Sequence, residues 1–368
     1  MFRLSIFMVV LFTAPVLAGV REDIAALKNP SADPEANRAA WDRLVAAGPP
    51  AMLPILHTWP ADDPVAANWL RTAFDQFART HTEKLPVEEL LAFAADPKAH
   101  GKARRVALSA VERTRPGTTV KLLPGWLNDP EFGPDAVAER ITAAEAAEPT
   151  EATRILRTMF AATTDIDQAL VVAKRLTAAG DKPDMVKHLG MVGRWHVVGP
   201  FPVSPEDGLK QSFPPETKFD LAAEYEGKAG KLKWSAATCD PAEGRVDLAK
   251  FGVKPDDGAV AYAAATVIMP SPTKVELRLS AVDNITAWVN GKKAVERASE
   301  YRSMYRPDRY RAAVELPAGE SALLLKLTKT RPEEVRGRPG ATAKWDFLVR
   351  LADDKGRGVA FTQPEGKK

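Results

Sequence analysis

The dipeptide Asp-Pro recurs along the first half of the chain as Asp33-Pro34, Asp63-Pro64, Asp96-Pro97 and Asp129-Pro130, at spacings of 30, 33 and 33 residues. A fixed period in this range marks stacked helical pairs, because one pair cannot bury its apolar stripe alone and needs neighbours to cover it. The dipeptide also has a helix-starting chemistry. Asp accepts hydrogen bonds from the free N–H groups of a first turn, and Pro has no N–H to leave unsatisfied there.

Each Asp-Pro precedes an amphipathic segment. Within Ala66–Ala78, Trp69, Leu70, Ala73, Phe74 and Phe77 share one helical face, and Ala103, Val106, Ala107, Ala110 and Val111 do the same in the next unit. Shorter apolar stretches at Ala51–His57, Val87–Ala94 and Val120–Trp126 read as the second helix of each pair, and Ile166–Leu189 as a degenerate fifth unit. Asp-Pro is followed at an approximate spacing by Arg38, Arg71 or Arg104 and then by a small residue, Ala39, Ala73 or Ala107. With these residues, the region from Gly19 to Leu189 resembles HEAT-type repeats. That resemblance implies an α-solenoid that serves as a scaffold or protein-binding surface, not as a catalytic domain. The fourth unit departs from the pattern, with Gly133 and Pro134 inside the expected helix start.

After about Gly190 the periodicity changes from helical to alternating. Val275, Leu277 and Leu279 alternate with Lys274, Glu276 and Arg278, and Ile285, Ala287 and Val289 alternate with Thr286 and Trp288. Period two marks strands with one face buried. Asn290-Gly291 follows, a two-residue hairpin signal because both positions need positive φ. Further strands are expected at Trp195–Val198, Leu232–Ala236, Ala259–Ile268, Arg311–Leu316, Ala322–Leu327 and Trp345–Leu351, and about nine strands without intervening helices predict an antiparallel β-sandwich. Three segments carry a resemblance: Trp195-His196-Val197-Val198-Gly199-Pro200-Phe201-Pro202, the stretch from Asp283 through Trp288-Val289-Asn290-Gly291-Lys292, and Leu316-Pro317-Ala318-Gly319 leading into Leu323–Leu327. Over Gly193–Val359 the chain resembles the galactose-binding-like jelly roll found beside glycoside hydrolase family 2 catalytic domains and in secreted bacterial proteins. The resemblance implies fold more than ligand, and the insertion Arg331–Lys344 departs from it.

The first residues predict export. Arg3 precedes an apolar run from Leu4 to Phe12, and Val16 and Ala18 sit at the −3 and −1 positions of a small-residue cleavage site. The run is too short for a membrane span, and no later segment reads as transmembrane. The expected organisation is therefore a signal peptide over residues 1–18, HEAT-like helical repeats over 19–190 and a jelly-roll β-sandwich over 191–368, in a periplasmic, cell-envelope or extracellular protein. The single cysteine, Cys239, cannot form an internal disulfide and reads as a packed residue.

Catalytic motifs are missing from the sequence: no nucleophile elbow, phosphate-binding loop, dinucleotide fingerprint or His-Glu-x-x-His. The five histidines are scattered, so neither a metal nor another cofactor is expected, and an enzyme is disfavoured, although a carboxylate pair for glycan hydrolysis need not be close in sequence. The acidic pairs Asp256-Asp257 and Asp353-Asp354 lack the ligand spacing of a calcium loop and read as solvated turns. The net charge of +3 gives no footprint for nucleic acid. One segment stands out. Lys292–Arg311 is strongly basic and interleaves Arg297, Arg302, Arg306 and Arg309 with Tyr301, Tyr305 and Tyr310. Guanidinium groups grip anionic oxygens in pairs and tyrosine rings stack on sugars, so these residues are the candidate site for a polysaccharide, an anionic one by preference. The competing reading is a solvated connection whose tyrosines pack on the sandwich edge. The chain is thus expected to be a non-catalytic exported binding protein, with a glycan on the sandwich and a protein partner on the repeats. A purely protein-binding assembly role is the alternative.

Overall fold

A computed structural model describes the chain apart from residues 1–9, 31–32, 204–206, 228–229, 254–258, 283, 298–305, 330–343 and 366–368, and apart from the side chains of 10–16. The chain is helical in its N-terminal region and forms antiparallel sheets after it. By packing it divides into two compact units, Met1–Glu139 and Arg140–Lys368. The expected boundary at 190/191 follows the change from helix to strand, whereas the division by packing falls earlier.

The first unit contains α1 (Val10–Lys28), α2 (Pro34–Ala47), α3 (Pro49–His57), α4 (Pro64–Thr80), α5 (Val87–Ala95), α6 (Gly101–Thr114) and α7 (Thr118–Leu122), with α8 (Gly133–Ala143) beginning at its end. The amphipathic stripes meet in one apolar core, where Leu44, Leu70, Phe74, Leu90, Val106 and Val111 are buried together. Helix α1 runs through the expected cleavage site, and Val20, Ile24 and Leu27, which lie beyond that site, are part of this core. Among the described residues, no helix is long and apolar enough to cross a membrane.

The four Asp-Pro pairs do not all act alike. Asp63 caps α4 directly, accepting from the N–H groups of Val65 at 2.9 Å and Ala66 at 3.0 Å, and Asp33 caps α2 by accepting from Glu35 N–H at 2.9 Å. Asp96 instead closes a turn through Lys98 N–H at 2.9 Å, and α6 starts later, after His100. Asp129 accepts from the N–H groups of Glu131 and Phe132, and α8 begins at Gly133, so the Gly133-Pro134 interruption is the helix start itself. The recurring arginines differ as well. Arg38 and Arg71 are exposed and pair with Asp42 and the half-buried Asp75, whereas Arg104 is fully buried. Its guanidinium forks onto Asp129 at 3.0 and 2.6 Å, donates to the Ala94 carbonyl at 2.8 Å and lies over the Phe132 ring at 4.9 Å.

The second unit begins with α9 (Pro149–Ala162), α10 (Ile166–Ala178) and α11 (Met185–Leu189). Strands β1 (Arg194–Pro202), β2 (Glu224–Gly227), β3 (Gly230–Lys233), β4 (Ser235–Thr238), β5 (Val246–Asp247), β6 (Ala259–Met269), β7 (Thr273–Ala281), β8 (Asn284–Val289), β9 (Lys292–Arg297), β10 (Tyr310–Leu316), β11 (Gly319–Lys329) and β12 (Asp346–Ala352) follow, with the short α12 (Pro214–Thr217) before β2. One sheet has the order β4-β1-β6-β11-β8-β9, a second β10-β7-β12-β5, and β2 pairs with β3 alone. The alternating residues turn inward as expected. Ala261, Ala263, Ile285, Ala287, Leu325 and Leu327 from the first sheet and Leu277, Leu279, Phe347 and Val349 from the second bury into one core. Asn290 and Gly291 take φ of 50° and 77°, the positive values that the turn between β8 and β9 requires. The expected strand at Leu232–Ala236 is two strands, β3 and β4, which break at Trp234 and join different sheets.

Outward residues on β12 are covered too. Leu348 packs with Ile166, Ala169, Met185 and Leu189 of α10 and α11, so these helices shield the outer side of the second sheet.

Truncating Asp129 to Ala strands a buried guanidinium. It is expected to cost about 3–5 kcal/mol of stability in urea unfolding, against about 1 kcal/mol for Asp63→Ala, where a helix cap is lost. Equal losses would show that the Arg104 pairing carries no special weight.

Candidate functional site

The basic, tyrosine-bearing segment joins the edge strand β9 of one sheet to the edge strand β10 of the other. Tyr301, Arg302 and Tyr305 lie outside the described residues. Arg297 ends β9, is exposed, and donates to the Glu296 carbonyl at 2.8 Å. Arg306 is exposed. Arg309 lies over the Tyr310 ring at 5.2 Å, and Tyr310 packs against the core with its hydroxyl buried and unpartnered. The end of the segment is tied down by an acid. Arg278 and Arg350 are register partners on β7 and β12, two buried like charges side by side, and Asp308 lies between them. It accepts from Arg278 Nη1 at 3.0 Å and from Arg350 Nε at 2.8 Å, and its own N–H donates to Ser280 Oγ at 2.9 Å. Burial pushes the Asp308 carboxyl upward, but the two guanidinium groups outweigh it and hold the carboxyl below its usual range. Arg350 also reaches the carbonyls of Gly356 at 3.0 Å and Thr164 at 3.1 Å, fastening the turn before α10 to the sheet.

A cleft of about 260 Å³ opens on the outer face of the larger sheet, lined by Trp288, Lys293, Glu296, Lys326, Lys210 and Glu216 among others. Its composition follows from the strand alternation. Ile285, Ala287 and Val289 turn into the core, so Thr286 and Trp288 face outward; Leu325 and Leu327 turn inward, so Lys326 faces outward. The register then aligns Tyr262, Lys326, Thr286 and Glu296 in one row across β6, β11, β8 and β9, with Leu324, Trp288 and Lys293 in the adjacent row.

The far side of the cleft belongs to residues 207–217, which lie over the sheet. Lys326 holds them there. Its ammonium donates to the carbonyls of Gln211 at 2.6 Å and Leu209 at 3.2 Å and pairs with Glu216 at 2.9 Å. An ammonium has three donors, so all are used. Glu216 also accepts from the Tyr262 hydroxyl and from Ser212 Oγ at 3.2 Å. Burial pushes the Glu216 carboxyl up, but the hydrogen bonds from Tyr262 and Lys326 prevail and hold it below its usual range. Burial, and then the Glu216 carboxylate, raise the Tyr262 hydroxyl far above its ordinary value. Thr286, 1% exposed, has a hydroxyl with no partner. Lys293 and Glu296 pair with each other along β9 and remain half exposed.

Glu216 is committed to Lys326 and Tyr262, Glu296 to Lys293, and Tyr262 is fully buried, so the cleft presents an aromatic ring and rim charges, with its inner acid already neutralised. The Cys239 thiol is pushed up to about 11, by burial first and Asp240 second, which keeps it protonated at neutral pH. Among the described residues, no three or more His, Cys, Asp and Glu side chains gather as a metal site. Sequence reasoning set Trp288 on the face opposite Ile285, Ala287 and Val289 without naming it as a site residue, and passed over Lys326 and Glu216. A lysine at an outward position in the apolar run Leu323–Leu327 was the available signal for Lys326, whereas nothing local marks Glu216.

No protein-family model matches the chain, and no curated protein matches it. Among solved structures, a GH31 α-xylosidase from Xanthomonas citri is matched at 12% identity over 26% of this chain and 11% of the xylosidase, with a TM-score of 0.16. A likeness of that size carries no argument about fold or function.

Because the Glu216 carboxyl is held low in the folded chain, it stabilises the fold above the unfolded-state value of about 4.3 and ceases to do so as pH falls through its lower folded-state value. Glu216→Gln is therefore expected to lower the melting temperature at pH 7, and its difference from the parent chain is expected to shrink progressively as pH falls below about 4.3. A constant difference across that range would separate the Glu216 contribution from its charge.

Proposed function

We propose that this chain is an exported, non-catalytic binding protein whose β half holds a glycan in the cleft beside Trp288. In this reading the two sheets that share one core are a galactose-binding-like jelly-roll sandwich, and the helical unit is a HEAT-like solenoid that meets a protein partner. The single observation that supports the glycan reading is the register-aligned polar row next to a half-buried Trp288. Clefts that hold polar ring ligands combine an apolar face with a few convergent polar groups, and this one has the indole ring, the Lys293 and Glu296 head groups and the rim lysine Lys210. Its volume of about 260 Å³ suits a single sugar ring with its hydroxyls. An anionic glycan is favoured because Lys293 and Lys210 line the cleft, and from β9 the chain continues toward Arg302, Arg306 and Arg309. The commitment of Glu216 and Glu296 to cations weighs against hydrolysis. No cofactor or nucleic acid enters this reading.

The test is binding of the purified mature chain to neutral and anionic polysaccharides at low and high salt. Trp288→Ala is expected to weaken binding by about tenfold, the equivalent of one lost aromatic contact. Replacing Arg297, Arg306 and Arg309 together by Ala is expected to remove the salt dependence while leaving neutral-glycan binding in place. A folded chain that binds no polysaccharide, or a Trp288→Ala variant that binds as the parent does, would overturn the glycan reading and leave the protein-binding one.

A further inference from the structure

The helical unit has an open groove of about 540 Å³ between α1 and α3. Arg21, Ile24, Ala25 and Lys28 line it from α1, and Leu53, Pro54 and His57 from α3. At about 100° per residue the four α1 positions share one face of that helix. Ile24 is buried, Leu53 and Pro54 are half-buried, and Ala25 is exposed. Leu17 also borders the groove, one turn before Arg21, and is lost with the leader in the exported reading, whereas the other lining residues stay. A recess walled by rows of side chains from two helices suits a third helix, whose own ridges pack between those rows.

The charge of the groove has one sign. No acid lines it, and Arg21 and Lys28 are both exposed. Arg38, Arg43, Arg71, Arg104, Arg105 and Arg115 of this unit each meet a carboxylate, whereas Arg21 and Lys28 meet none among the described residues. The two acids of α1 do not lie on the groove face, and one of them, Asp23, is taken by Arg43 at 2.6 Å. Seven residues make about two helical turns, so Arg21 and Lys28 stand one above the other on the same wall, about 10 Å apart. The occupant must therefore bring an apolar stripe for the floor and negative charge at that spacing for the rim. A flat bilayer surface cannot follow a recess between two helices, and a sugar polymer has no apolar stripe to set against Leu53 and Pro54.

We propose that this groove receives an amphipathic helix of a protein partner, its apolar stripe against Leu53 and Pro54 and its acidic side chains, about two turns apart, against Arg21 and Lys28. The proposal rests on the protein-partner part of the proposed function, gives that part a contact site, and is independent of the glycan cleft.

The experiment measures the fluorescence anisotropy of labelled helical peptides of about 18 residues, long enough for several turns, as the purified mature chain is added. One peptide carries a Leu stripe flanked by Glu, a second carries the same stripe flanked by Lys, and phosphatidylglycerol vesicles are the third probe. The expected result is saturable binding of the Glu peptide that weakens as salt is raised, with no binding of the Lys peptide. Arg21→Glu together with Lys28→Glu changes two exposed, unpaired side chains, so the circular dichroism is expected to match the parent. This double variant is expected to weaken the Glu peptide about tenfold and to admit the Lys peptide. Ala25→Trp adds bulk at an exposed position of the groove wall and is expected to weaken the Glu peptide to a similar extent with no change of charge. A Glu peptide that does not bind overturns the proposal. A Glu peptide that binds the parent and both variants alike overturns it too, but leaves the helical unit as a protein-binding surface with its contact elsewhere. Vesicle binding that the double variant loses, with no Glu peptide bound, overturns it in favour of a lipid surface. Each of these outcomes leaves polysaccharide binding at Trp288 untouched.

Discussion

Buried cations impose the constraint on which the rest of the structure depends. Arg104, Arg278, Lys326 and Arg350 are nearly or wholly removed from water, and a cation in such a place destabilises the fold by several kcal/mol unless acceptors surround it. Each is surrounded. Arg104 has Asp129 and a carbonyl, Arg278 and Arg350 share Asp308, and Lys326 has Glu216 and two carbonyls. In each case at least one acceptor comes from a segment distant in sequence, although Arg278 also forks onto Glu276 two residues away, so satisfying the charge also fixes a tertiary contact.

The sheets show the consequence. Their inward faces are aliphatic and pack with each other, which would happen for many sequences with the same alternation. Their outward faces are specific. Arg350 fastens the residues before α10 to one sheet while Leu348 packs under α10 and α11. Lys326 fastens residues 207–217 to the other, beside an aromatic cluster of Phe201, Phe213, Tyr225 and Tyr262. The cleft beside Trp288 exists because this cover stops short of the β8–β9 hairpin and leaves Trp288, Lys293 and Glu296 along its margin.

Much of the secondary structure was legible, and for identifiable reasons. The stripe Trp69, Leu70, Ala73, Phe74 and Phe77 lies on α4, and the alternation of Val275, Leu277 and Leu279 lies on β7, because periodicity reports which face is buried. Asn290-Gly291 specified its turn through backbone sterics alone. Other features were not legible. The Asp-Pro pairs look equivalent, yet two cap helices and two close turns, since a cap depends on where the following helix begins. Arg38, Arg71 and Arg104 occupy matching places, and only the last is buried. The basic segment looked like a free loop with three acids; one of them, Asp308, is the anchor of two strand arginines 30 and 42 residues away.

By itself, the sequence determined the helical region, the antiparallel strands, the inward face of most of them and the hairpin turn, because these follow from local periodicity and from backbone sterics that act over a few residues. Only the tertiary structure decided that Lys326, Thr286 and Glu296 form one row, that Glu216 closes on it, and that Asp308 pins the end of the basic segment. Register between strands and the pairing of buried charges join residues tens of positions apart, and each partner taken alone reads as an ordinary surface residue.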